Sequence, residues 1–302
     1  MSASAAPVQV AILDDYQNIA LQMADWSRLA HRAVITVFND HVADPAALVE
    51  RLQRFDVVCV MRERTPLPRA ISGTGYTSSP TIELTWALIL AAARNVVAEN
   101  TALRHGGWQQ SLGEDLDGKV LAVLGLGRIG SRVAAIGRAF GMEVIAWSQN
   151  LTGDKAEAAG ARLVTKQELF RDADFLTIHL VLSRRTAGLV GTAELALMKH
   201  SAKLINTSRG PIVDEAALIS ALRERRIAGA ALDVHGIEPL PTDHPYRSLD
   251  NVLATPHIGY VSRRLYETFY RDTVDNILAW LDGRPIRLSA DPRAATAKSP
   301  RR

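Results

Sequence analysis

Residues 119–140 read KVLAVLGLGRIGSRVAAIGRAF. An apolar run of strand length passes into G-x-G-x-x-G at Gly125, Gly127 and Gly130, and the apolar spacing then becomes helical. In this motif the first glycine allows a tight turn, the second lets backbone approach a pyrophosphate, and the third packs helix on strand. The helix start, at Arg128 and Ile129, offers backbone N–H groups and the positive end of a dipole to that pyrophosphate. A bare G-x-G-x-x-G is weak evidence, but between a strand and a helix it predicts a dinucleotide site.

The pattern extends in both directions. KVLAVLG, MEVIAWS, DFLTIHL, KLINTS, GAALDV and NVLATP alternate with helical or turn segments, as in a parallel α/β sheet. An earlier series, VQVAILDD (8–15), AVITVFND (33–40) and DVVCVM (56–61), predicts three more strands, with crossover helices near 17–31 and 44–55. Long helical patterns cover 81–103 and 263–283. The expected fold class is therefore α/β, with two doubly wound parallel-sheet domains. The expected division is a discontinuous domain over 1–95 plus 266–290, a dinucleotide-binding domain over 96–265, and a disordered basic tail over 291–302.

Composition narrows the possibilities. The chain has 302 residues, 47% hydrophobic, which is enough for two cores. Its formal charge of +3 is carried by the tail, where four basic residues face one aspartate, so no basic face for nucleic acid is expected. Cys59 is the single cysteine and reads as buried and inert. The start lacks a basic leader pattern, and the apolar block WALILAAA is too short for a bilayer. A cytoplasmic protein with no membrane partner is expected.

One stretch breaks the rhythm. After DVVCVM and MRERTPLPRAI the chain runs straight into SGTGYTSSP, without the dozen or more residues that a crossover to another parallel strand needs.

The strand MEVIAWS leads into Ser148, Gln149 and Asn150, where an acid would bind the adenosine ribose. Without that acid nothing repels a 2′-phosphate, and no arginine follows directly to attract one, so NAD or NADP is the expected cofactor. Further along, Arg209, Asp233, Glu238 and His257 all follow strands, at the ends where open α/β sheets bind ligands. An arginine fork suits a 2-keto acid. A histidine with a carboxylate partner suits proton transfer. The other seven of the eight histidines show no metal-ligand spacing, so no metal is expected. His179, His235 and His244 read as structural or solvent-facing, and Asp174, Arg184 and Arg185 as packing or surface residues.

With the motifs GLGRIG, NTSRGPIVDE, LDVHGIEP and PHIGY, the chain from about residue 8 to 288 resembles the D-isomer-specific 2-hydroxyacid dehydrogenases, in particular those like phosphoglycerate dehydrogenase. The resemblance implies a Rossmann domain and a flavodoxin-like substrate domain. It implies hydride transfer between NAD(P)H and a small-molecule 2-keto or D-2-hydroxy acid. Arg209 would then bind substrate, His257 carry the proton and Glu238 partner it. Asp233 would contact the nicotinamide amide, with Thr207 and Gly259 also at the cofactor. Relatives carry a helix, a strand and a carboxylate-binding glycine loop where the break near residue 71 falls. One βα unit, roughly thirty to forty residues, is thus expected to be lacking. The abrupt join favours omitted residues over a remodelled fold.

Arg62 and Arg64 follow the third strand, where they could meet a phosphate or second carboxylate; phosphoglycerate dehydrogenase proper is the corresponding alternative. A different class is a non-catalytic dinucleotide-sensing protein of the same fold, which retention of Arg209, Glu238 and His257 opposes. The polar arm RHGGWQQSLGEDLDGK (104–119) resembles one that reaches a partner subunit in the family, which implies a homodimer.

Overall fold

The computed structural model describes residues 6–61, 65 and 72–288. Two compact units emerge, Met1–Thr77 with Ser262–Arg302, and Ser78–Val261.

The first unit carries a parallel sheet of β1 (Val8–Ile12), β2 (Ala33–Val37) and β3 (Val57–Cys59), in the order β2-β1-β3. The central strand is the most deeply buried, with Val10, Ala11 and Ile12 at most 2% exposed. Helix α1 (Pro45–Leu52) crosses from β2 to β3, started by Pro45 and by Asp44, whose carboxylate accepts the Ala47 N–H at 3.0 Å. The crossover expected over 17–31 is not an α-helix. It forms two short 3-10 turns, Ala20–Gln22 and Trp26–Leu29. Asp15 captures the N–H groups of Ile19 and Ala20, and Asp25 that of Ser27, so side chains compete with the helical ladder.

Among the described residues this sheet has these three strands, with β3 at one edge. Segment 72–76 is tied instead to the far end of the chain. Ser72 bridges Leu288, the Gly73 N–H donates to the Arg287 carbonyl at 2.8 Å, and the Gly75 N–H donates to Asp272 at 2.7 Å.

The second unit begins with α2 (Ser79–Ala93) and α3 (Val96–Arg104). One helix was expected over 81–103, but Asn95 takes a left-handed conformation (φ 51°) and ends the first of two. There follow β4 (Val120–Leu124), α4 (Arg128–Ala139), β5 (Glu143–Trp147), α5 (Gly153–Ala158), β6 (Arg162–Leu163), α6 (Lys166–Asp172) and β7 (Phe175–Ile178). The unit closes with α7 (Thr192–Leu197), β8 (Lys203–Asn206), α8 (Glu215–Arg223), β9 (Gly229–Leu232) and β10 (Val252–Ala254).

All seven strands are parallel, in the order β10-β9-β8-β7-β4-β5-β6. Helices cover both faces, which is why the inner strands are apolar without alternation. Leu121 to Leu124 and the β7 residues Leu176 and Ile178 have no exposed surface. Strand order reverses between β4 and β7, the position at which such sheets bind ligands.

The chain enters this unit at Ser78, against the boundary of 95/96 expected from sequence, and leaves at Val261, against 265/266. Packing of α2 explains the first difference. It lies on β8, β9 and α4, with the Trp86 ring 5.0 Å from that of Phe140. Helix α9 (Arg263–Leu281) belongs to the first unit, where Tyr270 packs on Trp26 and Asp275 pairs with Arg28 at 2.8 Å. Among the described residues no single helix is long and apolar enough to cross a membrane.

Candidate active site

The β4–α4 turn lies at the reversal of strand order. Gly125 has φ 104°, and a Cβ there would stand 2.8 Å from the His179 carbonyl group. A Cβ on Gly130 would stand 2.1 Å from the Gly125 oxygen, so helix and turn meet only because that side chain is missing. Gly127 differs from both, with nothing within 4 Å of its Cβ position. That open space, at the capping residue of α4 and at the N-terminal end of its helix dipole, fits an approaching pyrophosphate. Ser148 follows β5 directly, and its carbonyl accepts the Leu151 N–H at 3.1 Å. No carboxylate occupies residues 148–150.

The loops after β8, β9 and β10 bring the other candidates together. Glu238 and His257 meet at 2.6 Å between Oε2 and Nδ1. The second carboxylate oxygen of Glu238 accepts the His235 backbone N–H at 2.9 Å. Burial pushes the Glu238 carboxyl up, but the hydrogen bond and charge of His257, with the His235 N–H, outweigh it and hold the group below the usual carboxylate value. The His257 side chain is 16% exposed and meets the Tyr260 ring edge-on, with centroids 5.4 Å apart. Its backbone is left-handed (φ 53°).

Asp233 is 1% exposed and organises the His257 segment. Its Oδ1 accepts from the Thr255 hydroxyl at 2.6 Å and the Ile258 N–H at 2.8 Å, and its Oδ2 from the Gly259 N–H at 2.8 Å. Burial pushes its carboxyl up against the pull of these donors. Arg209 lies in the loop after β8, bracketed by Asn206, whose amide donates to the Arg209 carbonyl and accepts the Ser208 N–H, both at 3.0 Å. The guanidinium donates to the Ser208 carbonyl at 2.7 Å.

Thr207 is part of a buried hydroxyl chain. Thr85 donates to the Thr81 carbonyl at 2.7 Å, so the 2.8 Å contact between Thr85 and Thr207 requires Thr207 to donate. The Thr81 hydroxyl donates to the Gly259 carbonyl at 3.0 Å, so α2 holds both the 207 and the 259 loops. These supports are absent from the sequence reading. The one available signal is a pair of hydroxyls four residues apart in the otherwise apolar TIELTWALIL.

Arg62 and Arg64, the expected substrate contacts of the first unit, lie outside the described residues. His179 is half-buried beside Thr177, its imidazole pushed down to about 3 by desolvation. His244 faces Glu215 at 3.3 Å, and Asp174 holds Lys199 and the Val120 N–H, each at 2.8 Å. Burial pushes the Cys59 thiol up to about 12 and keeps it unreactive.

Residues 86–259 match the family model of the D-isomer-specific 2-hydroxyacid dehydrogenase NAD-binding domain. The chain is 41% identical over 249 residues to a glyoxylate reductase of Aeropyrum pernix, covering 79% of this chain and 73% of that one. This chain belongs to the D-isomer-specific 2-hydroxyacid dehydrogenases. As a family member it is an NAD(P)-dependent oxidoreductase of 2-keto and D-2-hydroxy acids. It is also 44% identical over 180 residues to a D-3-phosphoglycerate dehydrogenase of Methanocaldococcus jannaschii, a match that spans only 34% of that longer protein. The crystal structure of a phosphoglycerate oxidoreductase from Vibrio cholerae superposes with a TM-score of 0.84 at 34% identity, covering 91% of this dehydrogenase and 99% of that chain.

Proposed function

We propose that His257 moves the proton in this dehydrogenase, with Glu238 as its partner and Arg209 binding the substrate carboxylate. The observation that carries the reading is the 2.6 Å contact between His257 Nδ1 and Glu238 Oε2. With Nδ1 engaged, Nε2 gives a proton to the carbonyl oxygen of a 2-keto acid and takes one from the hydroxyl in the reverse direction. Glu238, kept ionised, fixes the tautomer and stabilises the imidazolium. A nicotinamide dinucleotide held on the Gly125–Gly130 turn supplies the hydride. Asp233 positions the 255–259 segment, and the remaining lone pair of its Oδ2 is available to the nicotinamide amide. Arg209 holds the carboxylate through its planar fork.

The glyoxylate reductases among its relatives support a small 2-keto acid as substrate. The decisive experiment follows NAD(P)H oxidation with glyoxylate, hydroxypyruvate and 3-phosphohydroxypyruvate. Dinucleotide binding with no turnover on any 2-keto acid would favour a sensing role and defeat the catalytic one.

The same proposal includes a cytoplasmic homodimer. On the arm 104–119, Trp108 is 73% and Leu112 94% exposed, apolar surface that a second copy would cover. Sedimentation as a monomer at micromolar concentration would contradict the dimer.

A further inference from the structure

His235 touches both members of the His257–Glu238 dyad's support. Its backbone N–H donates to Glu238 Oε1 at 2.9 Å, and its ring Nε2 lies 3.0 Å from the Thr255 carbonyl oxygen. A carbonyl only accepts, so Nε2 carries a hydrogen. The same Thr255 oxygen accepts the His257 backbone N–H at 3.0 Å. A left-handed backbone at a residue such as His257 is unfavourable and persists only where its surroundings hold it. Two donors converging on one carbonyl are such a restraint. His235 therefore ties the 235–238 loop, which carries Glu238, to the turn that carries His257.

The other ring nitrogen indicates how the imidazole is kept in place. His235 is 6% exposed, and its Nδ1 has no hydrogen-bond partner among the described residues. The ring lines a cavity of about 10 Å³ together with Asn206, Glu215 and Tyr246, room for about one water. A buried ring nitrogen left without a partner is costly, and a water there would satisfy it.

We propose that His235 is a positioning residue for the dyad, acting through its Nε2–H on the Thr255 carbonyl, with a cavity water on Nδ1. The proposal rests on reading His257 as the proton carrier. Without the ring donor, the 255–257 turn relaxes and His257 leaves its alignment with Glu238. The ring hydrogen bond of His235 goes to the Thr255 carbonyl and not to the glycine turn, so dinucleotide binding persists while the chemical step slows.

Two substitutions separate this role from simple packing. Glutamine brings an N–H near the Nε2 position, whereas asparagine reaches only that of Nδ1. His235→Gln is expected to keep kcat within about threefold of wild type and His235→Asn to lower it about tenfold, with KM for the keto acid and dinucleotide affinity nearly unchanged in both. In the cofactor-free protein, the His257 amide should exchange with solvent about tenfold faster in His235→Asn and at the wild-type rate in His235→Gln. Equal loss in both variants, or wild-type kcat and exchange in His235→Asn, would overturn the proposal. A crystal structure with the cavity dry would remove the water. His257→Gln assayed alongside keeps the two readings apart. If it turns over normally, the proton-carrier reading fails. If it is inactive while His235→Asn is not, only the role of His235 fails.

Discussion

The two halves of the seven-stranded sheet build their sites by opposite means. At β4 and β5 the working surface is backbone, and what matters is where side chains are missing: the space at Gly127, the contact that Gly130 permits, and Ser148 where an acid would repel phosphate. At β8 to β10 the working groups are side chains, and the backbone serves to aim them, to the extent of a left-handed His257. Two histidines that follow strands of this sheet also differ. His179, after β7, is half-buried and pushed down to about 3 by desolvation, so it stays neutral; His257 keeps a carboxylate partner. Environment, not residue type, separates them.

The largest expected effect tests the side-chain half. His257→Gln should lower kcat by about 10²–10⁴-fold and leave dinucleotide affinity essentially unchanged, measured by fluorescence titration beside steady-state rates. An equal loss of affinity would mean that the two halves are not separable.

Ser148→Asp probes the other half. A carboxylate about 5 Å from a 2′-phosphate at an effective dielectric near 20 costs roughly 3 kcal/mol, so kcat/KM with NADP should fall by about a hundredfold and with NAD much less. Wild-type protein that already rejects NADP by that margin would place the preference elsewhere.

The glycines offer a finer contrast. Gly130→Ala puts a methyl 2.1 Å from the Gly125 oxygen and should cost about 1–3 kcal/mol of stability, visible in the melting temperature. Gly127→Ala has open space, so its melting temperature should hold while dinucleotide binding weakens. Matching melting curves for the two variants would contradict this account of the turn.

The smallest effect concerns Glu238 and acid. Its folded value is depressed, so its contribution to stability is fully present above the ordinary carboxylate range and is lost as pH falls through the lowered value. In urea titrations wild type should exceed Glu238→Gln near neutrality, and the difference should close toward low pH. A difference that widens on acidification would reverse the assigned sign.

Most of the fold could be read from the sequence because buried parallel strands declare themselves as apolar runs. β6 did not, being two exposed residues with no period to detect. The failure at 17–31 has a local cause, since Asp15 and Asp25 divert backbone N–H groups from a helix whose apolar spacing is otherwise adequate. Of the site, Glu238 and His257 were legible because each follows a strand and carries chemistry in its side chain. Thr81, Thr85, Asn206 and His235 were not. Their part depends on which carbonyl or hydroxyl tertiary packing sets opposite them, which no spacing encodes.

The ties from Ser72, Gly73 and Gly75 to Leu288, Arg287 and Asp272 bear on the order in which the molecule assembles. Residues 78–261 form a unit uninterrupted in sequence, so the dinucleotide-binding sheet has all its strands once that stretch has been synthesised. The first unit has its three described strands far earlier, but its closing helix and the Ser72–Leu288 bridge wait for residues made after residue 261. Contacts this distant in sequence close slowly, and domains fold as units during synthesis. Of the two units, the one whose strands are made earlier is therefore the one that is completed later.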